Sequence, residues 1–148
     1  MFRPIILAAM LGALAFPVFG QTYFEPKRGS ELRADLMDAI RPIAEWQLGA
    51  PVEFVIDTLR TDDHVAFAMV KAQRPGGKPI DMAKTPLAAR DSYYVDDYDG
   101  PATMEVLMKR SDRMWVPVTY HIGSTEAWWD DDIYCPVWGA VIEEWCRD

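Results

Sequence analysis

The sequence predicts an α+β domain in which one kinked N-terminal helix packs on a four-stranded antiparallel sheet. Three observations predict it. Apolar residues recur at helical spacing between Ser30 and Leu48. Two pairs of alternating segments follow, each pair joined by a two-residue polar turn, and a stretch punctuated by Pro and Gly, 74–100, separates the pairs.

Ser30 starts the helix, because its hydroxyl can accept a backbone N–H left free in the first turn. Leu32, Leu36, Ile40 and Ile43 then form the apolar stripe, with Met37 and Ala39 beside it. Arg33, Asp35, Asp38 and Arg41 face away. Pro42 lacks an N–H and crowds the preceding turn, so a kink is expected over 38–41. Gly49 and Pro51 close the element.

The first strand is predicted from Pro51 to Thr61, where Val52, Phe54 and Ile56 alternate with Glu53, Val55 and Asp57. Asp62-Asp63 is the turn, and the second strand runs from His64 to Gln73. Val65, Phe67 and Met69 share one face of it; His64, Ala66, Ala68 and Val70 share the other. So short a link forces antiparallel pairing. In the third strand, Ala102 to Arg110, Met104, Val106 and Met108 alternate with Thr103, Glu105 and Lys109. Ser111-Asp112 turns into the fourth strand, Arg113 to His121, where Pro117 implies an edge position or a bulge. The layout is similar to cystatin-like and related folds, an analogy that carries no function with it.

Residues 1–20 read as a signal peptide and 21–148 as one domain with an irregular loop, 74–100, and an aromatic C-terminal tail. Met1 to Arg3 supplies one positive charge, and Pro4 to Phe19 carries none. Val18 and Gly20 suit the −3 and −1 positions of a cleavage site that leaves Gln21 first. A spanning helix needs roughly 20 apolar residues, and this run is shorter and holds Pro17. No Cys follows it, which excludes a lipid anchor there. The expected address is periplasmic or secreted.

The chain carries a net charge of −8. Without Arg3, 14 basic residues face 23 acidic ones. Such a surface repels phosphate backbones and anionic lipid, so nucleic acid and, after cleavage, membrane are not expected partners. A basic protein or a small molecule is.

The run SELRADLMDAIRPIAEWQLGAPVEFVIDTLR from Ser30 to Arg60 resembles an uncharacterised family of small exported bacterial proteins. So do VAFAMVKAQRPGGKPID, from Val65 to Asp81, the strand ending at Trp115-Val116, and Ile122 to Glu126. The tail from Tyr134 onward departs from that pattern. The family has no established activity, so the resemblance implies an exported single domain and no catalytic residues.

Cys135 and Cys146 are the only cysteines. In an oxidising compartment they are expected to pair. One straight helix from Pro136 to Trp145 would hold their Cα atoms roughly 16 Å apart, and a disulfide tolerates about 4.4–6.8 Å. A full-length terminal helix and a disulfide exclude each other. The favoured reading is a disulfide around a shorter turn that starts at Pro136 and bends at Gly139. A redox pair is the alternative, and the spacing is unlike a C-x-x-C site.

No motif specifies a reaction. Neither His64 nor His121 accompanies a nucleophile motif such as G-x-S-x-G. Two histidines 57 positions apart, even with Asp130 to Asp132, make a poor zinc set. Asp97 and Asp99 match only a fragment of a calcium loop. Arg74-Pro75-Gly76-Gly77-Lys78 lacks the spacing of a phosphate cradle. No cofactor or metal is therefore assigned. The weak binding candidates are Tyr93, Tyr94 and Tyr98 in the long loop, with Trp128, Trp129 and His121, since exposed aromatics anchor partners.

The favoured function is a non-catalytic exported binding module, of inhibitor or immunity type, that engages a basic protein. One alternative is a cell-envelope hydrolase using a His/carboxylate pair around His121. The other is a carrier of a small apolar ligand between the helix and the sheet.

Overall fold

A computed structural model describes residues 22–91 and 100–146 of the chain. Helix α1 spans Glu31–Leu48 as one element and continues through Pro42. Ser30 caps it as expected, its Oγ accepting the Arg33 N–H at 3.3 Å. Gly49 ends it at φ +83°, a conformation that side chains with a Cβ resist. The carbonyls left at this end are taken by a distant cation. Arg74 Nη2 donates to Leu48 O at 2.7 Å, while Nη1 donates to Gly49 O and, at 3.0 Å, to Pro51 O. Arg74 is thereby a helix clamp, and its guanidinium is withdrawn from the anion cradle considered above.

The sheet contains β1 (Glu53–Thr61), β2 (Val65–Gln73), β3 (Thr103–Ser111) and β4 (Met114–Ile122) in sequential order, antiparallel throughout. Each strand lies within two residues of its predicted bounds. Both hairpins turn through an aspartate at positive φ, Asp63 at 75° and Asp112 at 57°, a conformation Asp tolerates better than most residues. Asp57 and Val118 are extra residues in the ladders, which shift register at those points. Pro117 adjoins the second shift and sits on the edge strand. Both halves of the Pro117 expectation are met.

The described part of the 74–100 stretch, residues 74–91 and 100, is more ordered than an irregular loop. A 3₁₀ turn, Met82–Lys84, leads into a short helix α2, Pro86–Arg90. Thr85 joins them: its buried hydroxyl donates to Met82 O at 2.7 Å and accepts from Ala88 N at 3.2 Å.

The sheet is covered on both faces. Leu36, Ile40, Ala44 and Leu48 of α1 pack on Leu59, Ala66, Ala68, Val70, Met104, Val106, Met108 and Trp115. On the opposite face Val65, Phe67 and Leu107 pack against Trp129, Trp138, Val141 and Ile142 of the tail. Full burial of side chains of this size contributes about 1.5–3 kcal/mol each. The second face is therefore a real core.

The tail turns through Trp128–Asp130 and Asp132–Tyr134 into helix α3, Cys135–Trp138. Cys135 and Cys146 form a disulfide with Cα atoms 5.4 Å apart. The helix stops after one turn, with Pro136 near its start and Gly139 at its end. A Cβ on Gly139 would lie 2.7 Å from Cys135 O, so the bend requires glycine. Among the described residues, no helix is long and apolar enough to cross a membrane.

Candidate functional site

The sequence candidates that fall on described residues converge where the tail crosses β3 and β4. His121, at the end of β4, is exposed, and its ring stacks on Trp128 with centroids 4.5 Å apart. Trp128 meets Trp129 and Tyr134 edge-on, at 6.0 and 5.4 Å. Trp129 is buried against Phe67 of β2, at 5.4 Å, so it serves the core rather than a surface. Trp138 fastens the tail farther along: its Nε1–H donates to Met108 O at 2.8 Å in a buried bond. Tyr93, Tyr94 and Tyr98, like Asp97 and Asp99, lie outside the described residues.

Beneath this aromatic group lies a residue that the sequence did not single out. Glu105 pairs across the sheet with Met69 on one side and His121 on the other, so all three side chains share the tail-covered face. It is 4% exposed, and its Oε2 has no hydrogen-bond partner. Burial pushes its carboxyl up to about 6; the nearby Trp128 N–H and its own backbone oppose that shift. The indole N–H is close enough to act on the charge without meeting full hydrogen-bond geometry, and it has no other partner. The available signal was Leu107, an apolar residue on the same face of β3 as Glu105.

His121 also borders a surface hollow of about 310 Å³ with Gln47, Leu87, Asp91, Tyr120 and Ile122. Gln47 Nε2 donates to Tyr120 Oη at 2.8 Å, tying α1 to β4 there. At the other end of β4, Asp35, Asp38, Ala39, Arg113, Met114 and Trp115 line a shallow hollow of about 290 Å³. Between the two hollows runs the outer edge of β4. Met114, Val116 and Val118 are 68%, 40% and 52% exposed there, which makes this an apolar edge.

The N-terminal segment braces the tail from the far side. Thr22 Oγ1 bonds Ala140 O at 2.7 Å and Glu143 Oε2 at 2.8 Å. Arg60 of β1 lies over the Tyr23 ring, 4.6 Å from its centroid, and its Nη1 contacts Glu144 Oε1 at 2.6 Å. His64 sits at the opposite end of the sheet from His121, beside the first hairpin turn. Among the described residues, no three His, Cys, Asp or Glu side chains gather as metal ligands would.

A buried carboxyl with a raised pKa opposite an imidazole has the elements of acid–base chemistry, but Trp128 and Trp129 separate it from solvent. The β4 edge is the more accessible feature, with apolar side chains and carboxylates at both ends. No family model matches the chain, and no curated protein and no solved structure matches it.

Proposed function

We propose that the chain is a non-catalytic exported binding module that engages a basic protein along the outer edge of β4. The observation that carries this reading is the exposed apolar run Met114, Val116 and Val118 on an edge strand. Edge strands offer unpaired backbone groups to an added strand, and soluble proteins usually blunt them with charge. Here Pro117 and the bulge at Val118 shorten the free ladder, while the side chains on it stay apolar. Asp35 and Asp38 flank one end, with Arg113 among them, and Asp91 lies at the other. The net charge of −8 favours a cationic partner. Export rests on the N-terminal leader, the resemblance to exported proteins and the disulfide, which suits an oxidising compartment.

The immobilised chain, incubated with an envelope extract at low salt, tests the reading. Capture of a basic protein that is released by high salt and lost in a Val116→Lys/Val118→Lys variant is the expected result. Both positions are exposed, so the variant keeps the core. No capture, or equal capture by the variant, overturns the proposal. The cross-strand placement of Glu105 opposite His121 favours a second reading as a His/carboxylate hydrolase. Turnover of envelope-derived esters, amides or glycans that is lost in His121→Gln would establish it.

A further inference from the structure

Among the described residues five buried polar side-chain atoms lack partners; two, Arg60 Nε and Glu144 Oε2, belong to an ion pair, and three lie where the tail crosses the middle of the sheet: Glu105 Oε2, Trp128 Nε1 and Trp129 Nε1. Native folds leave few such atoms, and each weakens the contact around it. All three belong to the contact between the middle of β3 and the 3₁₀ turn Trp128–Asp130. Packing holds that turn at Trp129 on Phe67, and the stack of Trp128 on exposed His121 holds it at the sheet edge. The disulfide and the Trp138 bond to Met108 fix the tail farther along, not this turn.

We propose that residues 127–134 form a proton-controlled lid, which lies on the sheet while Glu105 holds its proton and lifts when the carboxyl ionises. A buried carboxylate needs a paired cation or well-made hydrogen bonds, and the closed lid offers no cation and only the poorly aligned Trp128 N–H, which does not offset the burial. Lys71, diagonal to Glu105 on β2, is exposed and forms no ion pair with it. From β1, Arg60 is engaged by Glu144. His121 of β4 stacks on the lid and makes no ion pair with Glu105. Residues 126–134 bring only acidic charges: Glu126, Asp130, Asp131 and Asp132. Lifting admits water to the carboxylate and uncovers it beside His121. The shift of the Glu105 carboxyl from 4.5 to about 6 corresponds to a change of about 30-fold in the ratio of closed to open lid.

Hydrogen exchange of the full chain, read by mass spectrometry at pH 5 and pH 8 and corrected for intrinsic chemistry, tests the lid. Opening of peptides over 123–134 is expected to rise about 8-fold between pH 5 and pH 8, while the β1–β2 hairpin stays protected. In Glu105→Gln the rise disappears. A rise of equal size in Glu105→Gln, no rise in the wild type, or an equal rise in the hairpin overturns the proposal. If Glu105→Gln does not fold, His121→Gln decides: the rise persists there if Glu105 is the trigger, and its loss overturns the proposal.

Discussion

Removing the Cys135–Cys146 bond should destabilise the whole domain, and the size of the effect follows from its position. The two residues are 11 apart in sequence. Closing so short a loop in the unfolded chain removes entropy equivalent to roughly 3 kcal/mol at 25 °C. Inside the loop lie Trp138, Val141 and Ile142, all buried against the face that carries Phe67 and Leu107. The cross-link therefore stabilises one layer of the core, not a loose end. In a Cys135→Ala/Cys146→Ala variant the urea midpoint should fall by about 1–2 M, taking a slope of roughly 2 kcal/mol per M for a domain of this size. The transition should remain single, because tail and sheet unfold together, and its slope should rise slightly as the unfolded chain loses its cross-link. Denaturation followed by tryptophan fluorescence and by far-ultraviolet circular dichroism reads both quantities. An unchanged midpoint would refute the entropic argument. Two separate transitions would refute the claim that the tail belongs to one cooperative core.

Two further outcomes follow from buried polar groups. Glu105→Gln should stabilise the fold by about 2 kcal/mol at pH 8 and have no effect on its pH-dependence near pH 4. The sign follows from a folded-state pKa of about 6 against 4.5: the proton bound in the native state contributes fully below pH 4.5, and that contribution is lost as pH rises through 6. Urea titrations of both proteins at pH 4 and pH 8 check it, and a variant that loses stability at pH 8 relative to pH 4 as much as the wild type does would contradict it. Trp138→Phe keeps the aromatic packing but leaves Met108 O without its donor, and should cost about 1–3 kcal/mol by the same assay.

The α1 half of the molecule was legible from local rules. Ser30 caps the helix, the stripe through Leu36 and Ile40 faces the sheet, and short links holding an aspartate at positive φ set both hairpins. The other half depends on long-range contacts that no local pattern encodes. Alternation placed Glu105 with Thr103 and Lys109 on a polar face, but the tail returns and buries it. Arg74 reads as part of a glycine turn, yet its guanidinium reaches back 26 residues to Leu48. Val65, Phe67, Met69 and Leu107 were the apolar hints that the second face is covered. His121 and Trp128 were both singled out as residues, and only the fold brings them together. The exposed β4 edge follows from strand order, which the sequence of hairpins implied but did not fix.

The contacts of Thr22 with Ala140 and Glu143 bring the two ends of the folded backbone side by side. A short peptide spliced between them would close the main chain into a ring, and the ring could be cut at the first hairpin turn to give new termini. Such rearranged chains would present β4 unobstructed by any purification handle. A bulky group attached beside Thr22 or Glu143 would instead crowd the patch where Arg60, Tyr23 and Glu144 meet.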